Sequence, residues 1–328
     1  MPERATTFQT AQIGLESAAG TAVAAGKLLM ASEVSLAIKN QAVAFRPGGQ
    51  KFITTASPGK EWSTGKWSMG AVTYDEIVYW LSASHKKVAA SSDTSTGKLW
   101  TIAPAYNDAD TIATYTIEVG SGVRAHEAAY CIVPEFKMHW DRDKVTADGT
   151  ILGYALSDGI TMTSTPTALP VVPVLPTQVS LYLADTMAGL AGATAIDRSF
   201  AVDYSLADRF GPVWPLKAAA TNWPAHVETV PKATMKLLLA ADAVGMGLLT
   251  QMRAGSTKYI RVDAVGATIE SGKTYQLELT AALKFTSDPD EFTDHEGVYA
   301  IAWNAEVAYD ATAGYAMQWK VRNTTAAL

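Results

Sequence analysis

Apolar and polar residues alternate with period two in many short runs of this chain, and with a helical period in only two places. Val34, Leu36 and Ile38 alternate with Ser35, Ala37 and Lys39; Tyr115, Ile117 and Val119 with Thr114, Thr116 and Glu118; Phe136, Met138 and Trp140 with Lys137, His139 and Asp141. Successive side chains of a strand point to opposite faces, so each run predicts a half-buried strand with one wet side. Asp148-Gly149 predicts the turn between the strands at 135–141 and 151–156. Later, Val179, Leu181 and Leu183, then Phe200 to Leu206, Tyr299 to Tyr309 and Tyr315 to Val321 alternate in the same way.

The two helical stretches each follow a strand. In residues 66–84, Thr73 and Glu76 have the spacing of a capping box, and Ile77, Trp80, Leu81 and Ser84 then recur at helical spacing, which predicts a short helix with one apolar face. In residues 234–252, Met235, Leu237 and Leu239 lead into Asp242 and an apolar helical run. Between the two, Pro166, Pro170, Pro173 and Pro176 exclude both helix and central strand and predict a linker. The order of elements on either side is similar, down to a shared Val-Ser-Leu at Val34 and Val179. The expected organisation is an arm over 1–30, a first domain over 31–164, a proline-rich linker over 165–177 and a second domain over 178–328. Residues 1–27 show no sustained period and read as loose on their own, residues 41–65 as a long loop, and 208–230 as its counterpart. The expected fold class is mainly β (α+β), with each half a β-sandwich or split barrel flanked by one α-helix.

Composition narrows the function. The chain has 328 residues, a formal net charge of −6 and a pI near 5.4, which argues against a broad basic face gripping nucleic acid. Only 18 % of residues are charged, below the roughly 25 % usual for soluble domains, as expected where much surface is covered in an assembly. Cys131 is the lone cysteine and reads as a small buried apolar residue. No stretch reads as membrane-spanning, and Met1 to Thr7 lack the apolar core of a signal peptide. The five histidines, His85, His126, His139, His226 and His295, form no pair of zinc-protease type and read as surface or loop residues. Asp141 to Asp148 fails the calcium-loop pattern, and the acidic run Asp288, Asp290, Glu291, Asp294 and Glu296 reads as a solvated loop. No catalytic constellation and no cofactor motif stands out. Trp140, Trp303 and Trp319 read as core, whereas Trp62, Trp214 and Trp223 lie in loops and are candidates for subunit contacts.

With these elements in order, the sequence resembles a major tail protein (tail tube protein) of a long-tailed bacteriophage with a non-contractile tail. The residues that carry the resemblance are Ile13-Gly14-Leu15-Glu16 with Gly20-Thr21-Ala22-Val23, then Phe45-Arg46-Pro47 and Gly59-Lys60-Glu61, and the strand-to-helix unit. The resemblance implies rings whose inner sheets join into a continuous lumen, with the loop after the early strands reaching toward the next ring. Two copies of the unit in one chain would make a trimer a pseudo-hexamer. It further implies a virion protein assembled in the host cytoplasm, with itself and the tail terminator, tail-tip and tape-measure proteins as partners and DNA only as passing cargo. Inter-ring contacts would fall on Glu16, Phe45, Arg46, Lys51, Lys60, Glu61, Trp62, Arg209, Trp214 and Trp223. The rival reading is a secreted or surface β-sandwich module that binds carbohydrate or acts as an adhesin.

Overall fold

The computed structural model describes residues 8–216, 222–290 and 292–328. The chain is mainly β, with two α-helices among the described residues. The first half forms β1 (Thr10–Leu15), β2 (Lys27–Leu29), β3 (Ser32–Phe45), β4 (Thr55–Met69), α1 (Ile77–Ser84), β5 (Ser91–Ser92), β6 (Lys98–Ile102), β7 (Tyr115–Gly120), β8 (Ala125–Asp141), β9 (Val145–Gly153), β10 (Ser157–Ile160) and β11 (Thr167–Ala168). The second forms β12 (Val179–Ala184), β13 (Ser199–Ala207), β14 (Phe210–Val213), β15 (Ala225–Glu228), β16 (Lys232–Ala240), α2 (Ala243–Ala254), β17 (Lys258–Glu270), β18 (Lys273–Lys284), β19 (Thr293–His295), β20 (Val298–Val307) and β21 (Met317–Asn323).

The first half has two antiparallel sets that share β8. Its early residues pair with β7 and β10, and β7 continues to β1. After an irregularity between Ile132 and Glu135, the rest of β8 pairs with β9, which leads to β4 and then β3. The second half pairs its strands in a matching order. β18 lies between β17 and β21, β17 leads to β12, and the end of β18 touches β20, which leads to β16 and β13. Two ladders cross from half to half: β8 pairs with β13 from Phe136↔Leu206 to Asp141↔Ala201, and β6 pairs with β21.

Several expectations need correction. The stretch at 41–65 is no loop: β3 and β4 form one long hairpin whose turn covers only 46–54. Residues 10–15 are not a loose arm, because β1 pairs with β7 along its whole length and Ala11 and Ile13 are buried. The counterpart of β12 in pairing order is therefore β1, and that of β13 is β3, one strand away from the Val-Ser-Leu match. Asp148-Gly149 lies inside β9; the turn is at 142–144, where the Asp141 carboxylate accepts from the Asp143 and Lys144 amides at 2.8 and 2.7 Å. The 208–230 loop contains the β14–β15 hairpin. Thr114, Thr116 and Glu118 are buried: the Thr163 amide and hydroxyl donate to Glu118 at 2.6 and 2.7 Å, and the Thr116 hydroxyl donates to Glu16 at 3.1 Å. The proline-rich segment is strapped down: Tyr74 N donates to Val172 O at 3.0 Å and Val174 N to Val72 O at 2.7 Å.

Helix α1 departs most from expectation, since all eight of its residues are buried. Half of its capping box forms, with the Glu76 amide donating to Thr73 Oγ1 at 3.4 Å. The Glu76 carboxylate instead accepts from the Met30 and Ala31 amides (2.6 and 2.8 Å) and the Ser32 hydroxyl (2.8 Å), so it fastens the start of β3 to the helix. Trp80 stacks on Trp67 with centroids 4.5 Å apart and donates to Ser32 Oγ at 2.9 Å. Helix α2 behaves as its sequence predicts at the start: Asp242 accepts from the Val244 and Gly245 amides, and Gly255 ends the helix at φ 60°. Only Gly245 and Leu248 of α2 are buried.

The Trp67–Trp80 stack needs a bare backbone beside it. A Cβ on Gly149 would meet Glu135 O at 2.2 Å and Trp67 Nε1 at 2.6 Å. Gly149→Ala is expected to destabilise the fold by about 1–3 kcal/mol, read as a lowered midpoint in urea with an unchanged slope.

Candidate functional site

The features that could act on another molecule are surfaces of the long sheet. Beyond residue 36, the β3–β4 hairpin leaves the body. Residues 37–46 and 48–58 are exposed, and at about 3.4 Å per residue the projecting part is about 30 Å long. It carries bare apolar side chains: Ile38 is 55 % exposed, Val43 65 %, Phe45 61 %, Phe52 78 % and Ile53 60 %. A two-stranded ribbon has no core of its own, so such residues gain only when a second surface covers them. The root of the ribbon is braced, because Lys60 sits over the Trp214 ring at 5.1 Å and Trp62 meets Trp214 edge-on at 5.9 Å.

The second feature is an edge. β3 pairs with β4 on one side, and no strand among the described residues pairs with the other. Its counterpart β13 is bounded on both sides, by β8 and β16. The inward side chains register the difference: Val202, Tyr204 and Leu206 of β13 are 4 %, 1 % and 1 % exposed, while Val34 and Leu36 are half-buried and Ile38 is exposed. An unpaired strand with partly bare apolar residues is a template for another chain.

The third feature is the outward face of the run β3–β4–β9–β8–β13–β16–β20, which alternation makes polar. Lys137 stands opposite Asp148, Lys236 opposite Asp203, and Lys66 opposite Thr150. None of these seven strands contains an arginine. The mixture of lysine and carboxylate without guanidinium forks is a poor grip for phosphate. At the crossing from half to half, His139 lies between two carboxylates, with Nδ1 2.6 Å from Asp203 and Nε2 2.7 Å from Asp141. Burial lowers its pKa, but the hydrogen bonds to Asp203 and Asp141 outweigh that and raise it overall. Burial raises the Asp141 pKa, but the hydrogen bond with His139 and those from the Lys144 and Asp143 amides outweigh it and leave the carboxyl below the usual range.

The residues singled out by sequence divide in two. Phe45, Arg46 and Lys51 lie at the exposed end of the ribbon, and Lys60, Glu61, Trp62 and Trp214 at its root. Glu16, Arg209 and Trp223 are inside the chain and do not reach its surface. Glu16 accepts from the Tyr130 amide (2.7 Å), the Gly20 amide (2.8 Å) and the Thr116 hydroxyl (3.1 Å), closing β1 over β7 and β8. Arg209 pairs with Asp110 at 2.7 Å and Glu228 at 2.6 Å and donates to His85 O. Trp223 packs against Tyr130 at a tilt of 39°, with ring centroids 4.3 Å apart. His85 is also a correction, being wholly buried beside the Ser84 and Tyr204 hydroxyls, with burial and then Arg209 holding its pKa well below the ordinary value. No residue pattern in the sequence places the open edge on β3. The acidic run is an exposed segment in which Asp290 pairs with Lys236 and Asp294 accepts from Gly297 N; Glu291 lies outside the described residues. No helix among the described residues is long and apolar enough to cross a membrane.

The sequence matches no family model and no curated protein.

Two outcomes follow from these contacts. Replacing Arg209 by Met should cost about 3–5 kcal/mol, because Asp110 is left buried with Lys86 as its remaining charged partner beside the Ala105 amide; thermal or denaturant unfolding measures it. For His139, whose folded pKa is raised, the stabilisation is complete below its unfolded pKa of about 6.5 and is lost as pH rises through the folded value. Unfolding midpoints should therefore fall across that window in the native chain, and the fall should be smaller in His139→Gln.

Proposed function

We propose that this chain is the building block of a hollow tube, the tail tube of a long-tailed phage with a non-contractile tail. Each half is one tube unit, a helix-backed β-sandwich or split barrel. Three chains would close six such units into a ring, and rings would stack around a lumen through which the genome passes. The observation that carries this reading is the unpaired β3 edge beside a β13 whose equivalent edge is already filled by β8 of the same chain. The chain thus holds one completed joint between units and one half of another, and closing a ring fills every such half.

The other two surfaces fit the same reading. The projecting ribbon, with its bare Phe45, Phe52 and Ile53, suits an adjacent ring, since it extends too far to be covered by its own body. The arginine-free polar face suits a bore, where DNA must slide and not lodge by counterion release. The ends of such a tube would meet the tail terminator and tail-tip proteins, and its lumen the tape-measure protein.

Replacing residues 42–59 by Asn-Gly shortens the ribbon at the Gln41–Lys60 pair and leaves the inward residues of β4, Ser63, Trp67 and Met69, in place. The shortened chain should stay folded by circular dichroism and form single rings without tubes in negative-stain images, while the native chain forms tubes. Tubes of native length from the shortened chain would refute the role of the ribbon. A native chain that stays a dispersed monomer at high concentration would turn the reading toward a β-sandwich binding module.

A further inference from the structure

The joint inside the chain specifies the joint between chains more closely than the ring reading, on which this inference rests, requires. Inside the chain, the far part of β8 runs beside β9 and offers its other edge to β13. In the second half, β20 takes the place of β9, next to β16 as β9 is next to β4. The segment after β18 then takes the place of the far part of β8. Asp290 N donates to Ala302 O at 2.9 Å, and β19 pairs antiparallel with the start of β20, from Thr293↔Ala300 to His295↔Val298. Among the described residues, no strand pairs with the far side of β19. On the opposite flank of the chain β3, the counterpart of β13, is bare along its outer edge.

We propose that copies of this chain join by adding β19 of one copy antiparallel to the outer edge of β3 of the next, reproducing between chains the β8–β13 ladder within each. The occupant of the β3 edge is thus a second copy of this chain, and the contact lies within the segments Thr293–His295 and Ser32–Ile38. Three further observations agree. The inward residues of β3 are uncovered to a degree that those of β13 are not, as a missing neighbour requires. In that joint the polar sequence Thr293-Asp294-His295 would face Glu33 and Ser35, polar against polar, so the contact would have no long apolar match that aggregates at random. Helix α2 has only two buried residues, where α1, beside the filled joint, has eight. In α1 part of that cover comes from the second half, through Thr324 and Thr325 on Asp75 and the Tyr79 hydroxyl on Ala327 O. The described residues give α2 no equivalent cover, and a second copy joined in this way would supply one.

Disulfide trapping tests the joint in the full chain. Directly opposed strand residues have Cα atoms about 4.5–5.5 Å apart, within disulfide reach, and the native Cys131 is buried. Thr293→Cys is combined in turn with Glu33→Cys, Ser35→Cys and Ala37→Cys, with each single variant as a control for folding and assembly. Under mild oxidation, at least one pair should convert most of the chain into covalent dimers and trimers, with the trimer the largest species because the ring is closed. Rings or tubes seen by negative stain without any cross-link from the three pairs would overturn this joint and leave the ring reading standing. Covalent ladders running past three would overturn closure as a trimer. A native chain with no rings at all would overturn both.

Discussion

Backbone amides and carbonyls at the rim of a sheet must find partners in water or in another strand, and the chain resolves this need differently at its two halves. β8 is long enough to serve two sets of strands: it starts between β7 and β10, passes an irregularity at Ile132–Glu135, and continues between β9 and β13. That second passage welds the halves into one ladder. It also removes the outer edge of β13 from contact with solvent and buries Val202, Tyr204 and Leu206 beneath it. The outer edge of β3 receives no such cover, and the exposure of Ile38 follows from that.

The weld is reinforced by polar groups that only make sense in a rigid joint. On the first-half side, Glu76 gives up its role in capping α1 to hold residues 30–32 of the same half. Asp75 accepts from Thr324 and Thr325 at the far end of the sequence, and burial raises its pKa despite those hydrogen bonds. Arg209, from the second half, neutralises Asp110 of the first. Buried charges of this kind contribute little net stability but are costly to break singly, so they fix geometry more than they add free energy.

Local pattern revealed much of the fold. Alternation located β7, β13, β16, β20 and β21, and Asp242 marked the start of α2. It failed where partners far along the chain decide the outcome. Thr116 and Glu118 read as a wet face because nothing nearby says that Glu16 and Val23 will close on the first and Thr163 on the second. Residues 41–65 read as a loop because Pro47, Gly48, Gly49, Pro58 and Gly59 are turn formers, yet the bare ribbon tolerates Pro58 and Gly59 on β4, with Gly59 so close to Gln41 O that a Cβ would stand 1.9 Å away. Glu16 and Arg209 read as inter-ring contacts and not as buried, since a lone charge in sequence carries no sign of the carboxylates or amides that will enclose it. Of the candidate surfaces, the ribbon's residues were legible, and the open edge was not, because an edge is the absence of a neighbour.

The two halves are not interchangeable, and the difference bears on how an assembly can form. Between α1 and β7 the first half inserts β5 and β6, and β6 pairs with β21 of the second half from Ile102↔Trp319 to Lys98↔Asn323. Between α2 and β17 there are only residues 255–257, too few to send a strand anywhere. The contact between the halves therefore has two ladders and the proline-rich strap, while in the ring proposed above a joint between chains would have no equivalent of β6 to add. Cooperative unfolding within the chain and weaker, reversible association between chains would follow from that imbalance. In such a ring the two halves would enter already aligned, with only the weaker contact left to make.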